Sequence, residues 1–142
     1  MSPAPVDAAA DAPLLLYDGV CALCNGTVRF VLRRDRLGAA RFAPLQGPTA
    51  ASVLARHPDL QAVDSMVWID AAGAVFIRSD AILAIGRYLG GFWGAVASVV
   101  RRVPRPLRDW AYDRVARVRY RVFGKYDACP VPPAGQRARF LD

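Results

Sequence analysis

Two cysteines three positions apart, Cys21 and Cys24, stand in the stretch YDGVCALCNG, directly after an apolar run and ahead of an apolar, arginine-studded segment. LLLYD (Leu14 to Asp18) is a short continuous apolar run that stops at Gly19, as a strand buried on both faces does. From Ala22 to Arg36 the period changes: Cys24, Val28, Val31 and Leu32 follow helical spacing, while Arg29, Arg33 and Arg36 line another face. A strand-to-helix turn carrying C-x-x-C places the first sulfur at a helix N-terminus, where unpaired backbone N–H groups and the helix dipole stabilise a thiolate. Cys21 is therefore the expected nucleophile and the cysteine expected to face solvent. Cys24, one turn further in, is the expected resolving thiol, which attacks a mixed disulfide on Cys21.

Two other readings of the pair compete with this one. Both cysteines could be small buried hydrophobes, or half of a metal site. A zinc site needs two more ligands, and the chain offers only scattered Cys129 and His57, so no metal is expected and no cofactor is called for. Three cysteines leave one unpaired in any scheme, and MSPAPVDAAADAP has neither a basic residue nor an apolar core of the secretory type. The thiols are thus expected to be reactive rather than structural, in a cytoplasmic setting, with a role at the membrane surface as an added option.

At 142 residues, 54% of them hydrophobic, the chain has material for one core. Residues 1–12 read as a disordered lead-in and 13–142 as one domain, with a core at 13–91 and a C-terminal helical extension and tail at 92–142. After the first helix, Ala40 to Leu45 reads as a strand and Pro48 to Arg56 as a short helix. SMVWID and AVFIRS read as a hairpin around Ala71-Ala72-Gly73, and Ser79-Asp80 as the cap of a helix reaching Leu89. The order is βαβαββα. Ala81 to Val100 has the length of a membrane span, but Gly90-Gly91 in its middle reads better as the joint between two helices.

The net charge of +7 equals that of residues 101–125 alone, which hold eight Arg and one Lys against Asp109 and Asp113. Pro104 and Pro106 open a last helix in which Leu107, Ala111, Val115, Val118 and Val122 make an apolar stripe expected to hold it to the core. Arg114, Arg117 and Arg121 make a second stripe, either solvated with Asp113–Arg117 pairing or facing an anionic membrane surface or protein partner. Nucleic acid is set aside, because no recognised binding motif accompanies the charge.

YDGVCALCNGTVRFVLRRDR, followed by FAPLQ, IRSDAILAIGRYLGG, VPRPLRD and RYRVFGKYDAC, resembles the DCC family of predicted thiol-disulfide oxidoreductases, also termed the DUF393 family, and carries its D-G-x-C-x-x-C-N signature. The resemblance implies a thioredoxin-like α/β fold with added C-terminal helices, active-site cysteines at Cys21 and Cys24, and a thiol or disulfide substrate. Thioredoxin-type proteins in general place a cis-proline before the third strand, facing the cysteines. This chain has Asp64-Ser65 there, which makes Ser65 a candidate substrate contact and points to a narrower substrate or a low-molecular-weight thiol. Asp18 is a candidate to accept or relay the Cys24 proton, as an acid does in similar folds, or simply makes the turn with Gly19. Ser79 and Asp80 stand where related glutathione-binding proteins hold the thiol's γ-glutamyl end, though N-capping by Ser79 explains them as well. Cys129 is either a third redox thiol or incidental. The rival class is a non-redox binding module that docks through its basic terminal helices and exposed aromatics such as Trp93 or Trp110.

Overall fold

The computed structural model describes residues 12–36, 38–45, 47–57, 66–124 and 139–140. Its elements are β1 (Leu14–Tyr17), α1 (Ala22–Arg34), β2 (Arg41–Pro44), α2 (Pro48–Arg56), β3 (Val67–Ile69), β4 (Val75–Ile77), α3 (Arg78–Leu89), α4 (Gly91–Val100) and α5 (Arg105–Val122). The expectations for residues 1–11, Ser65 and Cys129 lie outside the described residues.

β1 is a central strand with both faces covered, and its unbroken apolar run follows from that. Leu15 and Tyr17 pack with Val28 and Val31 of α1 and with Ala81, Ala84 and Ile85 of α3. Leu14 and Leu16 point the other way, onto Ala50 and Val53 of α2. The sheet order is β2-β1-β3-β4, with β1 and β2 parallel and the other two pairings antiparallel. This is the thioredoxin-like α/β arrangement, extended by α4 and α5.

Local chemistry sets the boundaries. Helix α1 stops at Arg34, two residues short of the expected end, because the Asp35 carboxylate takes the backbone N–H groups of Gly38 and Ala40 at 3.0 and 3.1 Å. In the β3–β4 hairpin, Asp70 Oδ1 accepts from the N–H groups of Ala72 and Ala74, and Gly73 supplies the positive φ. Helices α3 and α4 fold back at Gly90 and Gly91 as a tight hairpin. A Cβ at Gly86 would come within 2.9 Å of the Ala97 Cβ. Among the described residues no helix is long and apolar enough to cross a membrane.

The last helix is rotated from the expectation, with its apolar stripe along an open groove and not against the core. Leu107 and Val122 are 55% and 65% exposed, and Val115 and Val118 are exposed too, so the apolar stripe does not hold α5 to the core. The polar side of α5 does. Asp109 accepts the Ser79 hydroxyl at 2.5 Å and its backbone N–H at 3.4 Å, which caps α3 from another helix. Arg108 and Arg105 pair with Asp80 at 3.1 and 3.2 Å, and Arg119 reaches Asp18 at 3.5 Å. Asp113 faces Arg78 at 3.8 Å rather than Arg117. The physical reason is that α3 starts without a side-chain cap of its own, and a buried Asp18 has to be matched by a cation. Of the two aromatics, Trp110 is exposed, while Trp93 packs edge-on against Phe30 with ring centroids 4.8 Å apart.

Candidate active site

Asp18 and Gly19 turn the chain from β1 into α1. Asp18 Oδ1 accepts the Val20 N–H and the Asp18 carbonyl accepts the Cys21 N–H, both at 3.1 Å. Asn25 fixes the turn from inside the helix, its side-chain amide donating to the carbonyls of Gly19 at 2.8 Å and Cys21 at 2.9 Å. Cys21 is thereby held as the N-cap of α1, and its Sγ accepts the Cys24 N–H at 3.4 Å. The two sulfurs are thiols in this structure.

The expectation that Cys21 faces solvent is corrected here. Cys21 is 0% exposed and Cys24 4%. The end of α5 lies over the start of α1, where the Gly124 carbonyl takes the Ala22 N–H at 3.2 Å, one of the donors a helix start leaves unpaired. Burial, with a hydrogen bond and charge interaction with Cys21, pushes the Cys24 thiol up to about 12. A backbone hydrogen bond from Asp18 and the Arg119 cation oppose this more weakly. Cys24 is therefore protonated at neutral pH, while the Cys21 sulfur is met by an N–H at the helix start.

Beside the pair lies a buried ionic cluster. Asp18 Oδ2 accepts from Arg119 at 3.5 Å and from the Tyr120 hydroxyl, while Arg119 donates to the Ala116 carbonyl at 2.9 Å. Burial and the bond to Asp18 push the Tyr120 phenol up. Burial works against the Arg119 cation, but Tyr120 and the two cysteines outweigh it and hold the guanidinium charged. Asp18 thus both makes the turn and anchors a cation at the cysteines.

Ser79 and Asp80 are placed elsewhere than expected in one respect. The N-cap of α3 is Ile77, and Ser79 lies inside the helix with its hydroxyl on Asp109. Asp80 is shared by Arg105 and Arg108. Among the described residues no group of three or more His, Cys, Asp or Glu side chains forms a metal site. A groove of about 490 Å³ runs between α1, α3 and α5, with Cys24, Ser79 and Arg119 in its wall.

Sequence reasoning missed Asn25, Arg119 and Tyr120. Asn25 stands in the quoted signature, directly after Cys24, without a role assigned to it. Arg119 and Tyr120 stand in RYRVFGKYDAC, but nothing in the spacing selects Arg119 from the other arginines of that segment.

Comparison with known proteins follows these residues. The model of the family described as DCC1-like thiol-disulfide oxidoreductase matches residues 15–125. The chain is 39% identical over 129 residues to "Uncharacterized protein YuxK" of Bacillus subtilis (strain 168), covering 90% of this chain and 93% of that protein. It is 37% identical over 120 residues to "DCC family protein At1g52590, chloroplastic" of Arabidopsis thaliana, covering 82% of this chain and 68% of that protein. No solved structure matches the chain.

Proposed function

The chain belongs to the DCC1-like thiol-disulfide oxidoreductase family, and on that premise we propose that Cys21 and Cys24 are its redox pair, with Cys21 the nucleophile and Cys24 the resolving thiol. One observation carries the assignment of roles: the Cys24 N–H is aimed at Cys21 Sγ at 3.4 Å, while the Cys24 thiol is held protonated.

The exchange balances as follows. The Cys21 thiolate attacks one sulfur of a substrate disulfide, the substrate S–S bond breaks, and the far sulfur leaves with the electron pair. That leaving thiolate takes the proton of Cys24. The Cys24 sulfur then attacks Cys21 Sγ, closing the Cys21–Cys24 disulfide and releasing the second substrate sulfur as a thiolate that protonates from water. Two electrons pass from the enzyme dithiol to the substrate, and the reverse sequence oxidises a substrate dithiol. Arg119 holds positive charge beside the pair, and Asp18 with Tyr120 keeps Arg119 in place. Because Cys21 is buried, substrate attack there requires a local opening of the structure around it.

In the test, Cys21→Ser abolishes exchange with a small linear disulfide such as oxidised glutathione, and Cys24→Ser accumulates a mixed disulfide on Cys21 by mass spectrometry. Exchange at the unsubstituted rate in Cys21→Ser overturns the assignment.

A second reading rests on the exposed side of α5, where Leu107, Trp110, Val122 and Phe123 lie uncovered alongside exposed Arg114, Arg117 and Arg121. In this reading the helix docks on an anionic lipid surface, each well-placed Arg contributing about 1 kcal/mol at low salt. Replacing the three arginines by Gln then lowers binding to vesicles containing phosphatidylserine severalfold. Absence of vesicle binding by the unsubstituted protein at low salt removes this reading and leaves the redox one intact.

A further inference from the structure

We propose that a small apolar thiol enters the groove beside Cys24 and reduces the oxidised pair by attacking Cys24 rather than Cys21. The inference rests on the redox reading of Cys21 and Cys24 and adds the route and the chemical class of one substrate.

The groove, at about 490 Å³, is within the range of small-molecule sites, roughly 300–1,000 Å³. Leu23, Met66, Ile82, Leu83, Leu107 and Val115 make much of its wall. Among the described residues the wall includes Cys24 and not Cys21. Its charged side chains are Arg108 and Arg119, both cations, with no acid among the described residues of the wall. Both are paired, Arg119 with Asp18 and Arg108 with Asp80, so the wall selects by its apolar character, and a thiol with an apolar body fits it.

The direction of attack follows from the same geometry. Displacement at a disulfide requires the entering sulfur to approach opposite the leaving one, and of the two cysteines only Cys24 stands in the groove wall among the described residues, so a sulfur in the groove meets Cys24 first. Cys21 then leaves with the electron pair, at the place where the Cys24 N–H and the start of α1 receive the charge. Attack on Cys21 would instead expel the Cys24 sulfur as an anion, which burial disfavours. Cys21 is also fully buried.

The steps balance. One thiolate attacks Cys24 Sγ, the Cys21–Cys24 bond breaks, and a mixed disulfide forms on Cys24. A second thiol attacks the ligand sulfur of that mixed disulfide, gives its proton to Cys24, and leaves as part of a small-molecule disulfide. Two thiols are oxidised and the pair takes up two electrons.

The test uses the full-length protein with Cys21 and Cys24 oxidised and a series of ethanethiol, butanethiol and hexanethiol. The reduction rate should rise about three- to fourfold per added methylene until the groove is filled. Quenching with acid, followed by N-ethylmaleimide in acidic urea, should leave the alkylthio group on Cys24 and the maleimide adduct on Cys21, read by fragment mass spectrometry. Val115→Lys, an exposed groove position, should flatten the chain-length dependence, with circular dichroism checking the fold. A flat series in the unsubstituted protein, or an alkylthio group on Cys21, overturns the proposal. Reduction by dithiothreitol separates the two levels: if it opens a Cys21–Cys24 disulfide while the series is flat, only the groove inference falls. If no such disulfide forms, both fall.

Discussion

The Arg119 guanidinium, near the end of the last helix, stands 3.5 Å from the Asp18 carboxylate at the end of the first strand, with both side chains almost wholly buried. Removing one partner of a buried ion pair leaves the other charged and uncompensated, at a cost of about 3 kcal/mol or more. Arg119→Gln should lower stability in urea unfolding by that amount, and the Asp18→Asn/Arg119→Gln double variant should lose clearly less than the sum of the two single losses. Additive losses would show that the two groups do not interact.

Ser79 is tied to Asp109, so its first role is to hold α5 at the start of α3. A hydrogen bond to a charged acceptor contributes about 1.5–3 kcal/mol. Ser79→Ala should lower stability by roughly that much, and Asp109→Ala should not add its full effect to it. Unchanged stability with a raised KM for a thiol substrate would contradict this and return Ser79 to a substrate-binding role.

Much of the core was legible in the sequence because its signals are local. The switch from a continuous apolar run in Leu14–Tyr17 to helical spacing after Ala22 marks β1 and α1, and Gly90-Gly91 marks the α3–α4 joint. The orientation of α5 was not legible. Its apolar and arginine stripes are both periodic, but the side that meets the core is neither: Arg108, Asp109 and Arg119 are selected by what the core offers, an uncapped α3 and a buried Asp18. The burial of Cys21 escaped for a related reason, since the end of α5, at Gly124, returns from far along the chain to the start of α1 beside it. At the site, the turn, the cap and the cysteine spacing follow from neighbouring residues, whereas Arg119 and Tyr120 reach Asp18 from far along the chain.

Alkaline pH should destabilise the protein over a defined window. Burial raises Cys24 from 9.0, and burial with Asp35 raises Tyr88 from 10.0, each to about 12. Above pH 9 the unfolded chain loses these protons first and binds fewer than the folded chain, so unfolding free energy falls as pH rises. Stability contributed by the two groups is complete below about pH 9 and is lost progressively by about pH 12. Cys24→Ala and Tyr88→Phe should each make the fall shallower in denaturant titrations across this range. An unchanged slope in both variants would show that neither group is linked to folding.

Cys21 should react slowly in the folded protein despite its place at a helix start, because access and not charge limits it. Iodoacetamide at pH 8 should modify it at least about tenfold more slowly than in the urea-unfolded chain. Tyr120→Phe removes the hydroxyl bonded to Asp18, loosens the end of α5, and should raise the folded-state rate severalfold. Equal rates in the folded and unfolded states would contradict the closed position of Cys21.

The redox pair itself is tested most directly by equilibrating the full-length protein in glutathione buffers of graded potential, quenching with acid, and counting free thiols at Cys21 and Cys24 by mass spectrometry. The expected result is a single two-electron transition in which both cysteines gain and lose their thiols together as an intramolecular disulfide, with no such transition in Cys21→Ser or Cys24→Ser. If both cysteines remain thiols across the whole range, or acquire only separate glutathione adducts, Cys21 and Cys24 are not a redox pair.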